Sequence, residues 1–208
     1  MEQSFIVLDI ETTGLCVPRK PYPPQIIEVK ESDKPNLSSE QIQTDEILQL
    51  AIVDQDGTTL FYDSFLPVIK KKWPAAQAIH RIAPKDLVLK KPFLARLEEI
   101  QSIINKAPLL VAYNTSFDLQ FLEGQGVSLS GKPYICIMKA FAHALYQQKG
   151  YYRNSKWQSL ATCAAFFNLV NENAHNALAD AQLTRACFKA MINDRRFNIQ
   201  PQIWSADT

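Results

Sequence analysis

Phe5-Ile6-Val7-Leu8-Asp9-Ile10-Glu11-Thr12-Thr13-Gly14-Leu15 is an apolar, β-type run that ends in two carboxylates and a glycine turn. The spacing predicts a strand over 4–10. Residues two apart on a strand point to the same face, so Asp9 and Glu11 project together from its C-terminal end. Two like charges held that close disfavour each other's ionised form unless a cation lies between them. A divalent metal such as magnesium meets that need, because hard cations take carboxylate oxygens. Two solvated acids where a strand meets a loop is the alternative reading. It weakens as acids appear in similar settings downstream.

The first of these is Asp118. Leu109-Leu110-Val111-Ala112-Tyr113-Asn114-Thr115-Ser116-Phe117-Asp118 reads as a short buried strand turning into a helix. Asp118 thus emerges at a strand end, where functional groups gather in sheets with parallel strands. Asp also favours helix N-termini, so a capping role stands beside the functional one. The second setting is His175-Asn176-Ala177-Leu178-Ala179-Asp180-Ala181. Five helical residues sweep about 500°, so a fully helical His175 and Asp180 would not share a face. A histidine on the incoming loop and an aspartate in the first or second turn can still converge. Asp180 shares its face with Leu183 and Cys187, and a carboxylate beside an apolar stripe is costly to bury without a cation.

Around these segments the pattern predicts strands over 46–54 and 58–66, joined by an Asp56-Gly57 hairpin turn. Helices follow near 74–80 and 92–106, a strand over 109–113, a helix over 118–124 and a strand over 134–137. Further helices are expected near 138–148, 158–167 and 177–192, the last with Ala179, Leu183, Ala186 and Ala190 as its apolar stripe. A meander of strands followed by alternating helices and strands indicates a mixed sheet flanked by helices. At 208 residues and 47% hydrophobic, the chain suits one domain that buries roughly 70% of its unfolded surface. That domain is placed at 1–193, with a Pro-rich surface insertion over 17–44 and a loosely packed tail over 194–208.

The bulk numbers exclude little else. Net charge is +1, so any grip on nucleic acid comes from local patches and metal-bridged phosphates rather than from overall charge. Lys70-Lys71-Lys72 and the stretch 153–156 are the basic candidates, with a solvated face as the alternative for each. No apolar run is long enough to span a bilayer. No export signal is evident at the start, and Cys16, Cys136, Cys163 and Cys187 form no C-x-x-C pair. Reduced thiols and a cytoplasmic protein without membrane partners are expected.

Taken together, Leu8 to Leu15, Asn114 through Phe117-Asp118, and His175-x-Ala177-x-x-Asp180 resemble the DEDDh-type 3′–5′ exonucleases of the DnaQ-like superfamily. Ala78-Ile79-His80-Arg81-Ile82 is similar to that family's Val/Ile-His-Gly-Ile stretch, and Asp45 to Ala51 to its second strand. The likeness spans about residues 4–192, without the insertion. Tyr113, Arg81, Gln49 and Cys136-Ile137 depart from the pattern, standing where His, Gly, Glu and an Asp-Thr pair are frequent.

The resemblance implies an RNase H-like fold and release of nucleoside 5′-monophosphates from 3′ ends, preferentially single-stranded. It implies two magnesium or manganese ions held by Asp9, Glu11, Asp118 and Asp180. His175 would accept the proton of the attacking water, as imidazole with a reference pKa near 6.5 can. Thr12, Thr13 and Leu15 stand where relatives meet the terminal 3′-hydroxyl and wedge against the last base, with His80 and Phe117 lining the same pocket. Tyr151, Tyr152 or Trp157 would offer a stacking surface. The competing readings are a module that only binds nucleic acid ends, and a proofreading partner that docks a polymerase through 17–44 or 194–208. Intact acids at all four metal positions favour the enzyme.

Overall fold

Alternation along the first strand decides where everything else goes. In the computed structural model, β1 (Ile6–Thr12) sends Ile6, Leu8 and Ile10 to one face of the sheet and Val7, preceded by Phe5, to the other. Both faces are covered, so both sets are buried. Asp9 and Glu11 continue the Phe5-Val7 row and are the half-buried members of the strand. The strand begins and ends two residues later than the sequence pattern predicts. Asp9 and Glu11 therefore lie within the ladder, opposite Ala51 and Gln49, and a register shift follows Glu11.

The structure describes residues 4–17, 44–148, 157–170 and 173–205, except for the side chains of 147 and 148. Apart from its end residues, the expected insertion over 17–44 lies outside them, as do Tyr151, Tyr152 and the basic stretch 153–156. β2 (Ile47–Asp54) and β3 (Thr59–Ser64) form the predicted meander with β1. Gly57 takes a φ of +92° in the turn between them, a conformation that needs no Cβ. β4 (Leu110–Ala112) and β5 (Pro133–Cys136) run parallel to β1 on its other side. With β6 (Gln202–Ile203) the sheet order is β3-β2-β1-β4-β5-β6. This is the expected mixed sheet flanked by helices.

Of the helices α1 (Pro74–His80), α2 (Leu97–Lys106), α3 (Thr115–Gly124), α4 (Ile137–Gln148), α5 (Leu160–Phe166) and α6 (Ala177–Ile192), the last five divide between the two faces. α2 and α3 bring Ile100, Ile104, Leu119 and Leu122 against Leu8 and Ile10. α4, α5 and α6 bring Phe141, Cys163, Ala181 and Phe188 against Val7 and Val53. On α6 the predicted stripe is off by a rotation. Of Ala179, Leu183, Ala186 and Ala190 only Leu183 is buried, while Ala177, Ala181, Thr184, Phe188 and Met191 face the core. Alanine is tolerated on either face, so an alanine count misplaces the stripe, whereas Phe188 and Met191 carry the apolar area.

Where a loosely packed tail is expected, residues 197–204 are instead built into the fold. β6 pairs antiparallel with β5, Phe197 joins the α4–α6 core, and Trp204 is buried edge-on against Tyr134. Trp204 Nε1 donates to the Glu123 carboxylate at 3.2 Å. A two-residue strand carries no periodicity, which is why the pattern misses it. All four cysteines are free thiols, three of them buried. No helix among the described residues is long and apolar enough to cross a membrane.

Candidate active site

Asp9 and Glu11 occupy the sheet face on which α6 lies, and α6 supplies Asp180 from its first turn. Asp118 arrives from the opposite layer. α3 starts at Thr115, whose one hydroxyl proton is shared between the carbonyls of Ile135 and Ala112 and ties the helix start to β4 and β5. Asp118 therefore sits a turn inside the helix and does not cap it; the position before the helix is Asn114. Its buried carboxylate takes a backbone hydrogen bond at Ile10, between the two β1 acids.

His175 lies outside α6, on the incoming loop, with a left-handed φ of +65° and an exposed side chain. Its backbone N–H donates to Asp180 Oδ2 at 2.9 Å. One ligand atom each from Glu11, His175 and Asp180 falls within 4.8 Å of the others. The five residues from three distant segments thus converge at the carboxyl end of β1. There the chain continues to β2 on one side and returns as β4 on the other, the position at which open α/β sheets bind ligands.

Electrostatics shows what this convergence costs. Burial pushes the Asp9 carboxyl well above its ordinary range, with Asp118, Glu11 and Asp180 adding to the shift. Burial, then Asp180 and Asp118, lift Glu11 to about 8. Burial lifts Asp118 to about 8, against backbone hydrogen bonds that favour its charged form. A hard divalent cation relieves such a cluster, because it takes carboxylate oxygens, and the four carboxylates form a suitable donor set for one. The residues fit the metal.

A pH dependence follows for the metal-free protein. Glu11 and Asp118 titrate near 4.5 and 3.8 in their ordinary state and near 8 when folded, so between those values the folded state binds more protons. Their contribution to stability is complete below the lower values and is lost as pH rises through 8. Melting in EDTA should show that decline, and added Mn2+ should raise Tm more at pH 9 than at pH 5. Equal shifts at both pH values would contradict the site.

Beside the acids is a hollow of about 480 Å3, bounded by the Thr12–Leu15 turn, α1 and Phe117. Leu15 stands 83% exposed at its rim. Thr13 borders the hollow but offers it little: its hydroxyl donates to Asp45 Oδ1 and accepts from the Glu46 N–H, and its own N–H donates to the Glu46 carbonyl. The Asp45 carboxylate also takes the Cys16 N–H at 2.9 Å and pairs with Lys70. A Cβ on Gly14 would lie 2.5–2.7 Å from that carboxylate. Gly14→Ala should lower the urea midpoint, by about 1–3 kcal/mol of overpacking.

His80 is buried between this hollow and a second, about 810 Å3, that His175 lines. Its Nδ1 accepts the Ile82 N–H at 3.0 Å, so Nε2 carries the proton and donates to the Thr12 carbonyl at 3.2 Å. Burial lowers its pKa, in keeping with this neutral tautomer. His80 therefore fixes the wall of the pocket. Arg81, where the resembled pattern has Gly, keeps the left-handed φ of +64° that explains a glycine there.

Sequence reasoning missed the residues that hold the His175 loop. Asn176 Oδ1 accepts from the N–H groups of Leu178 and Ala179, and Gln49 Oε1 accepts from that of Ala177. An Asn immediately before a helix is a capping signal that was available. Gln49, on a distant strand, gave none beyond departing from the pattern.

The exonuclease family model, RNase_T, matches residues 6–188. The chain belongs to the exonuclease family. This exonuclease is 24% identical over 194 residues to "DNA polymerase III PolC-type" of Caldanaerobacter subterraneus subsp. tengcongensis. The match takes in 92% of the chain and 12% of that polymerase, so the chain spans a small part of its curated relative. Among solved structures it is similar to the nuclease domain of 3′hExo, a DEDDh family member bound to rAMP. That likeness has a TM-score of 0.62 at 13% identity, over 97% of this chain and 98% of the other. Exonuclease X in complex with 5′ overhanging duplex DNA gives a TM-score of 0.58 at 20% identity, over 98% and 95%. The exonuclease thus has the RNase H-like fold of the DEDDh group.

Proposed function

We propose that this exonuclease hydrolyses nucleic acid from the 3′ end, preferentially single-stranded, to nucleoside 5′-monophosphates. Asp9, Glu11, Asp118 and Asp180 hold two magnesium or manganese ions, and His175 is the general base. The observation that carries this reading is the convergence of the four carboxylates and one exposed imidazole beside a hollow of terminal-residue size.

When bound, the cations supply charge neutralisation and Lewis-acid activation at the phosphate. The chain's own groups do the rest. The imidazole of His175 takes the proton of the attacking water and, being exposed, passes it to solvent. The 3′-terminal nucleoside sits in the hollow, with Leu15 and Phe117 against its base and His80 holding the Thr12 carbonyl in place. The Thr12–Leu15 turn and α1 line the hollow beside the acids.

The test offers 3′-labelled and 5′-labelled DNA and RNA strands with magnesium, manganese or EDTA. The 3′ label should leave first as a mononucleotide, and EDTA should stop the reaction. First release from the 5′ end, or undiminished hydrolysis in EDTA, would overturn the reading. A second reading, that the activity proofreads for a polymerase, is favoured by the PolC-type relative. It requires mispaired 3′ termini to be trimmed faster than paired ones.

A further inference from the structure

We infer that Gln49 and Tyr62 are positioning residues for His175, acting through the start of α6. This rests on the reading of His175 as the proton acceptor. Gln49 lies directly across the ladder from Glu11, on the face that α6 covers. Both halves of its amide are engaged. Oε1 accepts the Ala177 N–H at 3.0 Å, and the two Nε2 hydrogens serve Tyr62 Oη and Ser64 Oγ, each at 3.2 Å. Because a backbone N–H can only donate, the Ala177 contact fixes which way the amide points.

Tyr62 closes the network from the other side. Its hydroxyl accepts from Asn176 Nδ2 at 2.9 Å, while Asn176 Oδ1 caps α6. The loop is thereby held immediately after His175 by Asn176 and Ala177, and at His175 itself by Asp180. Such restraint matters because His175 has a positive φ that side-chain-bearing residues adopt at a cost. Left to itself, the loop would relax toward negative φ and carry the imidazole away from Glu11 and Asp180.

The uncharged amide is part of the device. A carboxylate at position 49 would accept from Ala177 as well, yet place a like charge directly opposite Glu11, which is unfavourable across a ladder. It would also lack the two hydrogens that tie Tyr62 and Ser64. Gln49 therefore steers the loop without adding charge to the acidic cluster.

The experiment is a double-mutant cycle between Tyr62→Phe and His175→Ala, read as kcat, KM and the Mn2+ concentration for half-activation. Tyr62 is 42% exposed, so loss of its hydroxyl leaves the fold intact, which a melting curve checks. Tyr62→Phe should lower kcat by about 10- to 100-fold, as small misplacements of a reacting group do. KM and the Mn2+ midpoint should stay put. In the His175→Ala background the same change should have no further effect, because there is no imidazole left to position. Gln49→Glu should keep part of the kcat that Gln49→Leu loses. An equal drop in both backgrounds, an unchanged kcat, or a change in KM alone would overturn the inference. A His175→Ala variant with full kcat would instead overturn the reading of His175 on which the inference rests.

Discussion

Asp118→Asn is expected to remove nearly all nuclease turnover while making the metal-free protein more resistant to heat at pH 8. The two effects have one cause. Asp118 is buried, reaches the backbone of β1 between Asp9 and Glu11, and holds its proton up to about 8. Replacing it with a neutral, nearly isosteric amide removes a like charge from a crowded site, which favours the folded state in EDTA. Relief of about 1–2 kcal/mol would raise Tm by roughly 2–8 °C for a chain of this size. On the proposed two-ion reading, the same change withdraws an anionic ligand. Loss of several kcal/mol of charge stabilisation at the phosphate corresponds to a fall of roughly 10^3-fold or more in kcat. Melting in EDTA and in saturating Mn2+, with turnover measured in parallel, checks both halves. A variant that is inactive but also less stable without metal would show that Asp118 serves the fold and not a metal cradle.

How far the sequence reveals this site depends on how local each determinant is. Asp9 and Glu11 are legible because a two-residue spacing on a strand places them on one side whatever the rest of the chain does. The structure adds that this side is the α6 side, a fact set by which helices cover which face. His175 is legible as a loop residue because five residues to Asp180 do not match a helical turn. Its left-handed backbone, and the restraint from Gln49 and Tyr62, are not, because the partners come from strands 114 or more residues earlier in the chain. Asp45 and Glu46 are hidden for a similar reason. Asp45 packs beneath Gly14, and Glu46 takes the N–H groups of Val68, Ile69 and Lys70. Neither partner set lies within a window that periodicity can read. The edge strand β6 is lost because two residues of pairing and one buried tryptophan leave no pattern.

His175→Ala should separate the proton acceptor from the metal ligands. The distances alone permit either role, since an imidazole nitrogen lies within 4.8 Å of ligand oxygens of Glu11 and Asp180. The proposal of a base rests on setting. Asp9 and Glu11 are half-buried and Asp118 is buried, whereas His175 is exposed and lines the 810 Å3 hollow. A ligand benefits from being enclosed; a base has to hand its proton to solvent in every turnover. Its backbone is also held from Asp180 through the N–H, so removal of the ring leaves that carboxylate's contact in place. Turnover should therefore fall by about 10^2- to 10^4-fold, the range for loss of a general base. Binding of Mn2+, followed by calorimetry or by the rise in Tm, should change little. A tenfold or greater loss of Mn2+ affinity would make His175 a ligand and move the base elsewhere in the site.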